Sequence, residues 1–133
     1  MTNFISEHAA QLLGTRRRPS NLTVSGLSQI STATKGLIPL HVESLSGYRV
    51  AMQQPFHILE KISVDLPRVE ITPEVLHRTK PYVLADSTFH KPGPIDLLIG
   101  SALFPQVLTN ERHSLGFNMP FALGTVFGYV IIG

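Results

Sequence analysis

The side chains that could carry out chemistry are few in this chain, and their spacing is sparse. There is no Cys, and the histidines show neither a His-x-x-x-His pair nor a carboxylate neighbour at ligand spacing. Metal sites in proteins place such ligands close together in a helix or loop. The sequence therefore predicts no metal site and no thiol chemistry. The histidines are His8, His41, His57, His77, His90 and His113.

Hydroxyl groups and glycines also lack the patterns of known catalytic loops. None of the serines lies in a G-x-S-x-G turn, so a serine nucleophile is not expected. Gly93 and Gly100 are too sparse for a phosphate-binding loop, and we expect no cofactor. The serines considered are Ser25, Ser28, Ser31 and Ser44.

The composition is that of one globular domain. The chain has 133 residues, of which 43% are hydrophobic, and its formal net charge is +2. A charge this small argues against a specific nucleic-acid partner. The longest apolar tract, residues 120–133, is shorter than the ~20 residues of a membrane-spanning helix, and residues 1–13 do not resemble a secretory signal. We therefore expect an intracellular, cytoplasmic protein without a membrane partner.

Three arginines follow the first predicted element. Arg16, Arg17 and Arg18 precede Pro19 and form a basic turn. A solvated loop near the negative end of a helix is the favoured interpretation, and a phosphate contact is the alternative.

The first half of the chain changes from helical to strand periodicity. Apolar residues at helical spacing predict a helix over residues 4–13, with Gly14 as its C-cap. Residues 22–24 and 30–35 predict the two arms of a hairpin. Residues 38–42 and 48–52 alternate as half-buried strands, and Pro55 is expected at a sheet edge or bulge.

The second half begins with a proline-rich stretch. Residues 66–94 predict an irregular connection with one short helix at 73–77. A buried strand at 95–100, a short helix at 101–108 and a final strand at 125–132 follow. The pattern is that of a mainly β domain, a barrel or sandwich with two or three short helices.

Two later motifs carry a resemblance to a known family. Residues 89–100 read Phe-His-Lys-Pro-Gly-Pro-Ile-Asp-Leu-Leu-Ile-Gly, similar to the F-x-x-P-x-x-I-D-x-L-[IL]-G stretch of the retropepsin-like domain in BEL/Pao retrotransposon polyproteins. Residues 125–133 resemble the T-x-[FL]-G-W-x-x-x-G signature that closes this domain, with Tyr129 in place of Trp. The resemblance covers nearly the whole chain and implies the closed β-barrel of retroviral-type aspartic proteases.

The resemblance also implies two parts of a substrate cleft. A flexible hairpin tip would form the flap, and an apolar strand ending on glycine would form a cleft wall. For the tip the alternative is an ordinary turn, and for the wall it is a core strand. The flap residues are Ser25, Gly26, Leu27 and Ser28, and the wall residues are Leu98, Ile99 and Gly100.

The catalytic motif of the family has no counterpart in the sequence. Family members carry Asp-Ser-Gly just before the segment that matches residues 2–6, whereas none of Asp65, Asp86 and Asp96 precedes Ser/Thr-Gly. In Asp86-Ser87-Thr88, the closest match, Thr88 replaces the glycine of the tight loop. Peptide hydrolysis of this type needs two carboxylates sharing a proton, one from each protomer. We expect a peptidase-like domain without activity of its own.

The expected partners follow from the same comparison. In the resembling proteases a strand precedes the catalytic loop inside the barrel, and without it residues 97–99 would form an uncovered edge. The chain would then self-associate, as a homodimer or aggregate, or bind a peptide or polyprotein segment. The rival expectation is that the final strand, residues 125–132, covers this edge. A non-catalytic module for peptide binding or dimerisation is the alternative to a peptidase.

Overall fold

Residues 2–25 and 31–133 are described by a computed structural model. The described residues are mainly β, with few helices, so the predicted mainly β class is confirmed. The strands are β1 (Asn3–Ser6), β2 (Thr23–Ser25), β3 (Ser31–Ala33), β4 (Leu37–Glu43), β5 (Arg49–Leu59), β6 (Leu97–Leu98), β7 (Leu108–Ser114), β8 (Phe121–Thr125) and β9 (Gly128–Ile132). The helices are α1 (Glu7–Leu13), α2 (Pro73–Arg78) and α3 (Phe104–Val107).

The core lies on a four-stranded sheet with the order β4-β5-β1-β6. β1 runs parallel to β5 and antiparallel to β6, so it is bordered on both sides. Ile5 pairs with Ile58, and Ile38 pairs with Phe56; these four side chains are almost completely buried. Side chains alternate across a strand, and these two pairs put the largest apolar groups into the core.

The predicted first helix is wrong over its first residues. Phe4 and Ile5 belong to β1, and α1 begins only at Glu7, after the N-cap Ser6. The Ser6 hydroxyl accepts a hydrogen bond of 3.1 Å from the Ala9 N–H. Pairing with β5 and β6 overrides the helical spacing, which no local pattern reveals. The predicted cap at Gly14 is confirmed, because this residue adopts φ +65°.

The predicted hairpin is present as β2 and β3, which pair antiparallel from Thr23 to Ser25. Its tip lies outside the described residues. Its base is fastened to β5, because the Ser20 hydroxyl lies 2.7 Å from His57 Nδ1 and the Thr34 hydroxyl lies 2.7 Å from Ser20 Oγ. The hairpin therefore starts from a fixed point beside the four-stranded sheet.

Pro55 and Pro73 occupy positions that a residue without a backbone N–H can take. Pro55 faces Pro39 across the β4–β5 pair, and β1 pairs with β5 only from Phe56 onward, so Pro55 lies where β5 has one neighbour. α2 begins at Pro73 with Thr72 as its cap, as predicted, and the Thr72 hydroxyl accepts from the Val75 N–H.

The final segment differs most from its prediction. Residues 125–132 do not form one strand: Thr125 ends β8 and Gly128 begins β9, and the two pair as a hairpin. β7 adds a third strand to this sheet, in the order β7-β8-β9. α3 is also shorter than predicted, because its chain enters β7 at Leu108. In the described part of the chain, strand pairing does not close any of the three sheets into the predicted barrel.

Gly128 is required at the turn between β8 and β9. Its φ is +121°, and a Cβ there would lie 2.8 Å from the Ala85 nitrogen and 2.9 Å from the Val83 oxygen. We expect Gly128→Ala to lower the free energy of unfolding by about 2–4 kcal/mol, from backbone strain and overpacking together. The control is Gly93→Ala, since a Cβ at Gly93 meets nothing within 4 Å. Equal urea midpoints for the two variants would contradict this account.

Candidate functional site

The predicted wall segment lies against β1, the strand at the centre of the main sheet. Leu98 pairs with Phe4, and Leu97 pairs with Ile5. β6 is only two residues long, and its start is fixed by Ser6, whose N–H donates to the Asp96 carbonyl at 2.8 Å. The Ser6 hydroxyl also donates to Asp96 Oδ1 at 2.7 Å. Asp96 therefore joins the beginning of α1 to the beginning of the wall.

Asn3 fixes the other end of the wall. Its side chain is buried, and its Oδ1 accepts a 2.6 Å hydrogen bond from the Gly100 N–H. The Gly100 carbonyl in turn accepts from the Leu103 and Phe104 N–H groups at 3.1 and 3.0 Å. One amide side chain thus links β1 to the turn that leads into α3. Sequence reasoning missed Asn3 and Ser6, because a single polar residue in a short strand gives no local signal.

The wall residues differ in exposure. The prediction of a buried strand is wrong for Leu98, whose exposed fraction is 45%. Ile99 packs against the core, and Gly100 is buried. Leu98 therefore presents an apolar side chain at the surface, directly beside the strand that Asn3 begins.

The structure places the predicted flap only in part. Ser25 is the last residue of β2 and pairs with Ser31 of β3. Gly26, Leu27 and Ser28 lie outside the described residues. Ser25 and Leu98 belong to different sheets, so strand pairing does not join the hairpin to the wall.

A groove opens between α1, β4 and β6. Its volume is about 440 Å³, and it exposes Leu12 and Leu13 at 74% and 56%. β4 and β6 are the two edge strands of the same sheet, so both edges of this sheet border one apolar groove. The lining residues are Ile5, Ala9, Leu12, Leu13, Leu40, His41, Val42, Glu43, Asp96 and Leu97.

Two of the three aspartates accept hydrogen bonds from nearby groups. Asp86 lies in the irregular connection, where its Oδ1 accepts from the Thr88 N–H and hydroxyl at 2.9 Å each. Asp96 is held by Ser6, and Asp65 is exposed. Among the described residues there is no group of three His, Cys, Asp or Glu side chains that could hold a metal ion. Within the same residues, no helix is long and apolar enough to cross a membrane.

The chain was compared with protein-family models, curated proteins and solved structures. No protein-family model, no curated protein and no solved structure matches the chain.

Removing the Asn3 side chain tests the link between β1 and the wall. We expect Asn3→Ala to lower the free energy of unfolding by about 1–3 kcal/mol, because it leaves the buried Gly100 N–H without its acceptor. It should also speed hydrogen exchange at the Gly100 amide. Asn110→Ala, in the exposed strand β7, is the control and should stay within about 0.5 kcal/mol of the parent. Identical behaviour of the two variants would contradict the role of Asn3.

Proposed function

We propose that this chain is a retropepsin-like domain of a BEL/Pao-type retrotransposon polyprotein. In this proposal residues 1–133 hold one wall of a substrate cleft and lack the catalytic aspartate. The family function is proteolysis of the polyprotein by an aspartic mechanism. The two motifs at residues 89–100 and 125–133 suggest the family, and the position of β1 supports the placement of the cleft.

The observation that carries the proposal is the hydrogen bond between Asn3 and Gly100 at the start of β1. By resemblance, the family's Asp-Ser-Gly stands just before the segment that matches residues 2–6. A chain with that motif would therefore bring its catalytic loop to the end of β1 that borders Gly100. There the exposed Leu98 side chain would line the cleft, as the resemblance implies.

The expected lack of activity follows from the chemistry of peptide hydrolysis. One carboxylate must take a proton from water while a second donates one to the leaving group. In this chain the Asp96 carboxylate accepts from Ser6, and the Asp86 carboxylate caps a turn in the connection. Neither lies in an Asp-Ser/Thr-Gly loop, so a dimer of these residues would lack both the base and the acid.

The closed barrel of the family belongs to the same proposal. β4 and β6 are the outer strands of the main sheet, and both border the apolar groove beside Leu12 and Leu13. An extended strand that pairs with β6 would fill this groove and bring the sheet closer to closure. We propose that a polyprotein segment, a peptide or a second copy of the chain supplies this strand.

A non-catalytic binding or dimerisation module is the second candidate. The apolar groove and the open strand edge favour it, because they can bind a peptide without any carboxylate pair. Adding an N-terminal strand that ends in Asp-Ser-Gly separates the two candidates. A peptidase scaffold gains activity from this extension, whereas a pure binding module does not.

A further inference from the structure

A second groove lies beside the three consecutive arginines. Its volume is about 450 Å³, and its lining contains no carboxylate. The residues around it are Thr15, Arg16, Arg17, Arg18, Pro19 and Pro39. It lies outside the proposed cleft, next to the beginning of β4.

The backbone of this arginine segment is fixed. Arg18 and Leu37 exchange two backbone hydrogen bonds of 2.8 and 2.9 Å, so the segment extends the edge of the main sheet. Gly36, at φ +105°, lets the two chains approach, because a Cβ there would lie 2.9 Å from the Arg18 oxygen. Residues 15–17 are exposed and lie outside regular secondary structure, as the interpretation of a solvated loop expects, and Arg18 is held in a sheet-like pair.

The middle arginine is neutralised by a carboxylate. Arg17 forms a two-pronged pair with Glu7, in which Nη1 lies 2.7 Å from Oε1. The hydrogen bond from Arg17 holds the pKa of Glu7 below its ordinary value, so the pair stays charged at neutral pH. This contact turns the Arg17 side chain towards α1 and also fastens the segment to the helix.

The flanking arginines have no such partner. Arg17 contacts Glu7 of α1, whereas Arg16 and Arg18 are exposed and line the groove. Within residues 2–25 and 31–133, neither guanidinium has an ion pair or a side-chain hydrogen bond. Three other cations are paired: Lys35 with Glu60, Arg49 with Glu43, and Arg78 with Glu74.

We propose that Arg16 and Arg18 bind a phosphate group in this groove. Guanidinium forks match the oxygens of phosphate, and the fixed backbone presents two of them beside a surface without carboxylates. The anion would also neutralise two guanidinium groups that line the same groove. The ligand is recognised through its phosphate and not through a base sequence.

Two probes test the proposal: inorganic phosphate and a ten-nucleotide single-stranded DNA. We expect phosphate to shift the amide resonances of Arg18 and Leu37. The Arg16→Gln/Arg18→Gln variant should bind each probe that binds the parent chain at least tenfold more weakly. For the DNA, the slope of log affinity against log salt should become shallower by about 0.7, because one phosphate contact is lost. An Arg16→Lys/Arg18→Lys variant keeps the charge and should still bind more weakly, because it lacks the forks.

The control is Arg68→Gln/Lys91→Gln, which removes the same charge from exposed positions elsewhere. It should bind both probes like the parent chain. Binding of phosphate alone indicates a small phosphorylated ligand, and tighter binding of the DNA indicates a polynucleotide; both support the site. No binding of either probe, or equal losses in the control and in the Arg16/Arg18 variant, would overturn the proposal.

Discussion

At micromolar concentration the 133-residue chain is expected to sediment as a dimer or larger species, and Leu98→Lys is expected to shift it towards the monomer. β6 is an outer strand of the main sheet, and in the described part of the chain it pairs with β1 alone. Leu98 exposes an apolar side chain on this edge, and Leu12 and Leu13 expose apolar surface in the groove that Leu97 lines. Unpaired backbone groups beside apolar side chains favour pairing with another chain, and a lysine on an edge strand opposes it.

The rival expectation, a final strand that covers this edge, does not agree with the strand order. β9 (Gly128–Ile132) pairs with β8 in the three-stranded sheet and not with β6. Val83→Lys is the matched control, because Val83 is 81% exposed and lies outside the strands. It should leave the sedimentation unchanged. A monomer with a sharp unfolding transition in the parent chain would contradict self-association and favour a binding module that folds alone.

Local sequence signals predicted the elements whose cause is local. Gly14 and Thr72 cap their helices as expected, because a positive φ and a hydroxyl acceptor depend only on adjacent backbone. The alternation over residues 38–42 predicted β4, because one face of this strand packs on the core. The position of Pro55 was also predictable, since its missing N–H restricts it to positions with one neighbour.

The elements that sequence reasoning missed depend on distant partners. Phe4 and Ile5 fit a helix by spacing and become a strand because β5 and β6 pair with them. β7 is exposed throughout and polar after Leu108, so no alternation indicates it. The turn before Gly128 joins two β-branched and aromatic stretches, which together resemble one strand.

In the candidate site, too, the contacts that depend on distant partners could not be predicted from local sequence. The family motif predicted a cleft wall at Leu98, Ile99 and Gly100, which stays a prediction; the structure shows that β6 pairs with β1. The hydrogen bond that holds Gly100 comes from Asn3, which is 97 residues away in the chain. A contact of this range follows from the fold and not from any local pattern.

The 133-residue chain is expected to show no peptidase activity between pH 4 and 7. None of its aspartates precedes Ser/Thr-Gly, so these residues do not supply the base and acid of the proposed aspartic mechanism. Each such proton transfer normally contributes a factor of about 10²–10⁴ in rate. An N-terminal extension by a strand that ends in Asp-Ser-Gly should supply one carboxylate per protomer. Activity needs one carboxylate from each of two protomers, so cleavage is expected only from the dimer of the extended chain. The matched control is the same extension ending in Asn-Ser-Gly, which should form the dimer without activity.

The most direct measurement is the initial rate at which the extended chain cleaves an unstructured protein, with and without pepstatin. The account predicts pepstatin-sensitive cleavage by the Asp-Ser-Gly extension, and no cleavage by the 133-residue chain or the Asn-Ser-Gly extension. Pepstatin-sensitive cleavage by the 133-residue chain itself, or no cleavage by an Asp-Ser-Gly extension that sediments as a dimer, would contradict it.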